Sequence, residues 1–198
     1  ITDATYEEMV YYNLPSNENF WSEKSNDFIA RFPDNYMIAA GDTITLGLHN
    51  MSIYQDHFNV NPDLTLFEDM RNAMDNMITI GLGPEKYNVN MLSDTKEVLI
   101  LFKWTQGNAY VEDIDYFLWG LENEKYAISK NEVDGYLNDT PIDDQKPIRK
   151  YEAYTDPDIM DSAYVRIGLE EKGERDQGNG ITDHDETSED FSLSWEIS

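Results

Sequence analysis

The sequence predicts a mostly β fold with long loops and one or two short helices, on three observations. Two alternating segments, residues 96–104 and 110–120, flank a Gly-containing turn at Gln106-Gly107-Asn108, which is the pattern of an antiparallel hairpin. The 13 Tyr, 8 Phe and 4 Trp suit strands, whose pleated faces accommodate rings. Short apolar runs recur between clusters of Asn, Asp, Pro and Gly, with few stretches of helical spacing. Hydrophobic residues make up 40% of the 198, which is enough for a packed core that a disordered chain of this charge would lack.

Thr5-Tyr6 and Val10-Tyr11-Tyr12 read as short strands, and Asn13-Leu14-Pro15-Ser16-Asn17 as a turn. Phe28 to Phe32 alternates as a half-buried strand should, and Pro33-Asp34-Asn35 closes it. Ala39 to Asp42 reads as a turn and Thr43 to Leu48 as a β segment. Ser52 to Phe58 has helical spacing and stops at Asn61-Pro62-Asp63. Leu64 to Phe67 returns to β character, and Met70, Met74 and Met77 lie at helical spacing as a core-facing stripe. Lys96 to Trp104 is the clearest buried strand, and Tyr110 to Gly120 returns beside it. Residues 121–150 are polar and loop-like, Ala163 to Ile167 is a short strand, and charges and glycines dominate from 171 to the closing Phe191-Ser192-Leu193-Ser194-Trp195. Repeats and linkers are absent, so the expectation is one domain over 1–198, with 171–190 an acidic Gly/Asp-rich loop within it.

Forty acidic residues stand against 14 basic ones, for a formal net charge of −26. Such a surface repels phosphate backbones and anionic membranes, so neither is an expected partner. Self-repulsion on this scale opposes compaction unless counter-ions bind. Divalent-cation binding, a salty habitat and simple solubility each account for it. The absence of Cys excludes disulfides, thiolate catalysis and Cys-based zinc sites. No apolar run is long enough to span a membrane. Ile1 reads as an internal position of a processed or trimmed chain.

Several phrases, taken in order, resemble lamin-tail domains. Phe28-Ile29-Ala30-Arg31-Phe32-Pro33 followed by Ile38-Ala39-Ala40-Gly41-Asp42 is similar to their strand and Ile-x-x-Gly turn. Asp113-Ile114-Asp115-Tyr116-Phe117-Leu118-Trp119-Gly120 resembles their central strand. Val133-Asp134-Gly135 with Asn138 to Ile142, then Arg166 and Gly178 to Glu189, resemble the long loop and closing segment of the bacterial exported branch. The resemblance implies an immunoglobulin-like β-sandwich and a non-catalytic module of secreted or surface-anchored bacterial proteins. Because the family opens with a strand that would precede Ile1, it also implies that one or two opening strands lie outside this chain.

Oxygen-rich clusters are the main candidates for chemistry. The first is Asp176-Gln177-Gly178-Asn179-Gly180-Ile181-Thr182-Asp183-His184-Asp185-Glu186, in which Asp176, Asn179, Asp183, Asp185 and Glu186 are candidate calcium ligands. Calcium takes six to eight oxygens in flexible geometry, and Asp/Asn/Gly turns supply them, although the spacing matches no EF-hand. A second cluster holds Asp134, Asn138 and Asp139, with Asp143 and Asp144 nearby, and it reads equally as a polar surface loop. In the third, Asp113 and Asp115 are two apart on a strand, so alternation places them on one face, read here as exposed. His49, His57 and His184 have no partners at metal-site spacing and read as surface or satisfied residues. There is no Gly-x-Ser-x-Gly elbow, and 40 acids make any chosen carboxylate pair uninformative about glycosidase chemistry. Trp104 and Trp119 read as core, while Trp21 is a candidate for sugar stacking.

Three functions follow. One is a non-catalytic extracellular or cell-surface structural or assembly module, calcium-stabilised and pairing strands with a second copy or a protein partner. Another is a module that binds carbohydrate or another surface polymer. The third, an enzyme with carboxylate-based hydrolase chemistry, has no positive motif.

Overall fold

The structure is a computed structural model and describes residues 1–3, 10–16, 28–72, 92–93, 96–120, 127–148 and 163–198. Thr5, Tyr6, Trp21, Met74 and Met77 lie outside the described residues. The chain divides into two compact units: residues 1–4 with 17–92, and residues 5–16 with 93–198.

The first unit is built from strand pairs too short to make a wide sheet. Thr2 bridges to Ile29, and its hydroxyl donates to the Phe28 carbonyl at 2.6 Å. β1 (Ala30–Arg31) pairs antiparallel with β4 (Arg71–Asn72). β2 (Leu46–Gly47) pairs with β3 (Leu64–Thr65) in parallel, and a parallel pair needs a crossover. That crossover is α1 (Met51–Phe58). Asn50 caps the helix, its Oδ1 accepting from Ile53 N at 3.0 Å, and Asn59 ends it in the left-handed region at φ 55°. A Cβ on Gly47 would press on Tyr54 and Pro62, at 3.1 and 3.2 Å, so glycine lets the crossover lie close to the strands. Phe28, Ile29, Leu64, Leu66, Phe67 and Met70 are buried here.

The second unit centres on the predicted hairpin. β5 (Glu97–Lys103) and β6 (Glu112–Trp119) pair antiparallel, and Gly107 turns at φ +93°. Trp104 Nε1 donates to Asn108 O at 3.1 Å across the turn. β7 (Tyr164–Arg166) pairs with β8 (Trp195–Ile197), which follows a single helical turn, α2 (Phe191–Ser194). Tyr11, Leu14, Val98, Ile100, Tyr116, Leu118, Ile148 and Phe191 are buried in this unit. Tyr11–Ser16 is a 3-10 turn rather than the expected strand at Val10-Tyr11-Tyr12: Asn13 N bonds to Val10 O, and Pro15 has no N–H for a ladder.

The all-β, immunoglobulin-like sandwich expected from the resemblance is therefore corrected. A sandwich needs two multi-stranded sheets with facing inner surfaces. Among the described residues every sheet has two strands, one pair is parallel around a helix, and much of the rest is turns and 3-10 segments. The rings that argued for wide sheets instead fill gaps between loops and strand pairs: Phe117 meets Trp195, Tyr164 and Phe191 at centroid distances of 4.2 to 5.8 Å. No helix among the described residues is long and apolar enough to cross a membrane.

Candidate functional site

The second unit brings its acidic residues together in two places, and a single irregularity in β6 keeps them apart. Leu101 pairs with Asp115 and Phe102 with Asp113, so Ile114 is an extra residue, a β-bulge. A bulge shifts the alternation by one. Asp113 then shares its face with Tyr116 and Leu118, and Asp115 goes with Phe117. The expectation that Asp113 and Asp115 share one exposed face is thus overturned, and Asp113 is buried.

On the Asp113 side lies a lysine with no exposed surface. Lys130 Nζ donates to Asp113 Oδ2 and to the Tyr11 hydroxyl (2.8 Å), and lies 3.1 Å from Asp139 Oδ2. Asp139 Oδ2 also accepts from Lys130 N at 2.9 Å, and the Tyr11 hydroxyl donates to Asp113 Oδ1 at 2.7 Å. The ammonium faces the Tyr11 ring at 5.4 Å and the Tyr136 ring at 6.0 Å. Two carboxylates share one cation, so the site holds excess negative charge. Burial pulls Lys130 down, but Asp113 and Asp139 outweigh it and the net direction is up. Burial likewise pushes Asp113 up further than Lys130 and Tyr11 pull it down.

On the Asp115 side, the carboxylates of Asp115, Glu171 and Glu186 lie within 4.8 Å of one another. Arg166 ties part of the cluster together: Nη2 lies 3.2 Å from Asp115 Oδ1, and Nη1 lies 3.0 Å from Glu171 Oε1 and 3.5 Å from Glu189 Oε1. Glu186 is 7% exposed. Glu189 is more deeply buried, and its Oε1 has no hydrogen-bond partner. Burial, followed by Glu174, Glu171, Asp115 and Asp113, pushes Glu186 up to about 9. Burial pushes Glu189 up to about 7 against the pull of Ser194 and Arg166. Glu174 completes the rim, with its Oε2 2.6 Å from His184 Nδ1; burial and then Glu171 raise it, and its bond to His184 raises the imidazole.

The tail folds back on itself to deliver Glu186. Asp113 N donates to Asn179 O, Gly180 N to His184 O, and Asp185 N to Arg175 O, each at 2.9 Å. Gly178, at φ +128°, permits this approach, since a Cβ there would come within 2.7 Å of Asp185 Cα. Gly178 therefore serves chain packing, and Gly180 leaves room for the Glu186 carboxylate, whose Oε1 a Cβ there would overlap.

Of the residues singled out as calcium ligands, only Glu186 stands in the carboxylate triad. Asp176, Asp183, Asp134 and Asn138 are exposed. Asp139 is held by Lys130, and Asn179 Nδ2 reaches Leu137 O at 2.8 Å and Asp139 Oδ1 at 3.4 Å, linking the two predicted loops. Asp185 accepts from Thr187 Oγ1 (2.6 Å), Thr140 Oγ1 (2.8 Å) and Arg175 Nη2 (3.1 Å), so it is a structural clasp. Sequence reading missed Lys130, Tyr11, Glu171 and Glu189. The one available signal was Lys130 itself, a base that closes the weakly polar run Tyr126-Ala127-Ile128-Ser129 in a chain with few bases.

The donors of the triad are all carboxylate oxygens, the set preferred by a hard cation. Two oxygens on opposite sides of a calcium ion at about 2.4 Å are about 4.8 Å apart. No family model, no curated protein and no solved structure matches this chain.

Proposed function

We propose that this chain is a non-catalytic structural module whose second unit is locked by a divalent cation, calcium first, held by Asp115, Glu171 and Glu186. The observation that carries the reading is the triad itself: three carboxylates, that of Glu186 on a residue only 7% exposed, whose oxygens lie within 4.8 Å of one another. A buried charge left in that state is costly, and a cation offsets the cost. Arg166 already serves Asp115, Glu171 and Glu189, which leaves Glu186 as the acid still in need of one. Water completes the calcium shell beyond the three protein oxygens.

The structural role is supported by what the other buried acids do. Asp113, Asp139 and Asp185 join segments far apart in sequence and hold the loops to the hairpin. Trp119, 7% exposed, is turned toward Phe117 and Tyr164 as a core ring, while Trp21, the candidate for sugar stacking, lies outside the described residues. A weak calcium site of this kind suits an extracellular or cell-surface setting, where the ion is plentiful.

Thermal melts in calcium, in magnesium and in chelator test the reading. Calcium at about 100 times its Kd is expected to stabilise by about 2.7 kcal/mol. In a chain of this size that raises Tm by about 5–10 °C. Glu186→Gln, which keeps the shape and removes the charge, is expected to abolish the rise. A melt indifferent to calcium, or a Glu186→Gln variant that responds as fully as the parent, sinks the proposal.

A further inference from the structure

The Lys130 site has the parts of a self-condensing amide. Its nitrogen is immobilised against one carboxyl group, a second carboxylate stands at hand to move protons, and a hydroxyl grips the far oxygen of the first. Exposure of the Lys130, Asp113 and Asp139 side chains is 0, 3 and 2%, so bulk water does not reach them. An amine hydrogen-bonded to one carboxyl oxygen stands next to the carboxyl carbon, and reacting atoms about 3–3.5 Å apart are near attack. Fixing both partners in this way converts a sluggish bimolecular reaction into an intramolecular one.

We propose that Lys130 and Asp113 join in an intramolecular isopeptide bond, with Asp139 carrying the protons and Tyr11 polarising the Asp113 carboxyl group. Asp139 first takes a proton from the Lys130 ammonium and passes it to Asp113 Oδ2. The freed Nζ lone pair attacks Asp113 Cγ, and the Tyr11 hydroxyl bonds to Oδ1 as negative charge gathers there. The N–C bond forms, and the C–Oδ2 bond breaks. Asp139 relays a second proton from nitrogen to the departing oxygen, which leaves as water. An ammonium and a carboxylate have become one amide and one water, Asp139 is a carboxylate again, and no oxidant, reductant or further reagent enters. The fold favours the product, because a buried ion pair carries a desolvation cost that a neutral amide does not. The bond would fasten β6 to the loop behind it, across a separation of 17 residues.

This inference does not rest on the cation site, and its test does not involve calcium. The intact mass of the folded, purified chain, measured after denaturation, is expected to fall one water below the sequence mass. Fragmentation is expected to place the loss on a bond between Asp113 and Lys130. Lys130→Arg keeps the charge but has no amine able to form this amide, and it is expected at its full mass. Asp139→Asn is expected to stay unreacted too; a bond formed in that variant removes Asp139 from the reaction and overturns its role. A wild-type chain at full sequence mass overturns the proposal without any variant. So does a lost water that maps to Asp134-Gly135, where an aspartyl succinimide would give the same loss.

Discussion

Two clusters of acids lie on either side of the bulged residue Ile114, and they solve the same electrostatic problem differently. On the Asp113 side the chain supplies its own cation, a lysine with no exposed surface held between two aspartates. On the Asp115 side Arg166 reaches Asp115, Glu171 and Glu189, while buried oxygens of Glu174 and Glu189 have no hydrogen-bond partner and Glu186 sits among the same carboxylates. The first cluster is complete as folded and the second is short of positive charge. A chain with 14 basic residues against 40 acidic ones has few internal cations to place where acids cluster. Where it does not, an ion from solution is the remaining remedy.

Removing the internal cation is the strongest way to break this contrast. Lys130→Met removes that cation, and with it the amide proposed above, and leaves Asp113 and Asp139 buried without compensation, which turns the first site into a copy of the second. Breaking a buried pair from one side costs about 3–5 kcal/mol. An unfolding free energy lowered by that amount in urea titration is the expected outcome, and a loss below about 1 kcal/mol would place the pair among weak surface bridges. The corresponding change on the other side has the opposite sign. Without calcium, Glu186→Gln is expected to raise Tm at neutral pH, since it removes the cost of keeping protonated an acid that burial, Glu174, Glu171 and Asp115 push up to about 9. A fall in Tm for that variant would mean that Glu186 already has a partner.

The response to pH sharpens the same comparison. Glu186 and Glu189 leave their ordinary value of 4.5 for about 9 and about 7 on folding. Between those values the folded chain holds protons that the unfolded chain has released, so stability falls as pH rises. The fall begins near 4.5, is steepest below about 7 where both glutamates contribute, and ends near 9. His184, raised by Glu174, acts in the same direction: its contribution is present below 6.5 and is lost as pH climbs through its folded value. The groups facing Glu186 and Glu189 are Asp113, Asp115, Glu171 and Glu174 on the acidic side and Arg166 on the basic side. The calcium-free chain is therefore expected to melt higher at pH 5 than at pH 8. Saturating calcium, which binds the ionised carboxylates, is expected to flatten that slope. A calcium-free melt that rises from pH 5 to pH 8 contradicts the shifts.

Local patterns carried the elements, and contacts between distant segments decided the sites. The hairpin, the helix near 51–58 and the strand near 164 follow from alternation, helical spacing and turn residues within a few positions of one another. The sandwich came from a resemblance of short phrases, and such phrases fix strands and turns locally without fixing how many strands a sheet joins. Asp113 and Asp115 were misplaced for a narrower reason: alternation holds only while the ladder is regular, and no local feature of Asp113-Ile114-Asp115 announces a bulge. Lys130 meets Tyr11 across 119 residues, a pairing that no spacing rule reaches. Glu171 looked like any other acid among 40, and Glu186 was grouped with Asp176 and Asp183, from which burial separates it.

That last distinction yields the smallest expected effect and a direct control. Asp176 and Asp183 lie in the same tail as Glu186, in the stretch that looks most like a calcium loop, yet both are exposed. Solvent already stabilises their charge, so they gain little from an ion. Asp176→Asn and Asp183→Asn, alone or together, are expected to shift Tm by no more than surface substitutions do, within about 0.5 kcal/mol. Both variants should keep the full calcium response. If the double variant loses that response while Glu186→Gln retains it, the ion sits on the exposed loop, and burial is the wrong guide to which acids in this chain need a cation.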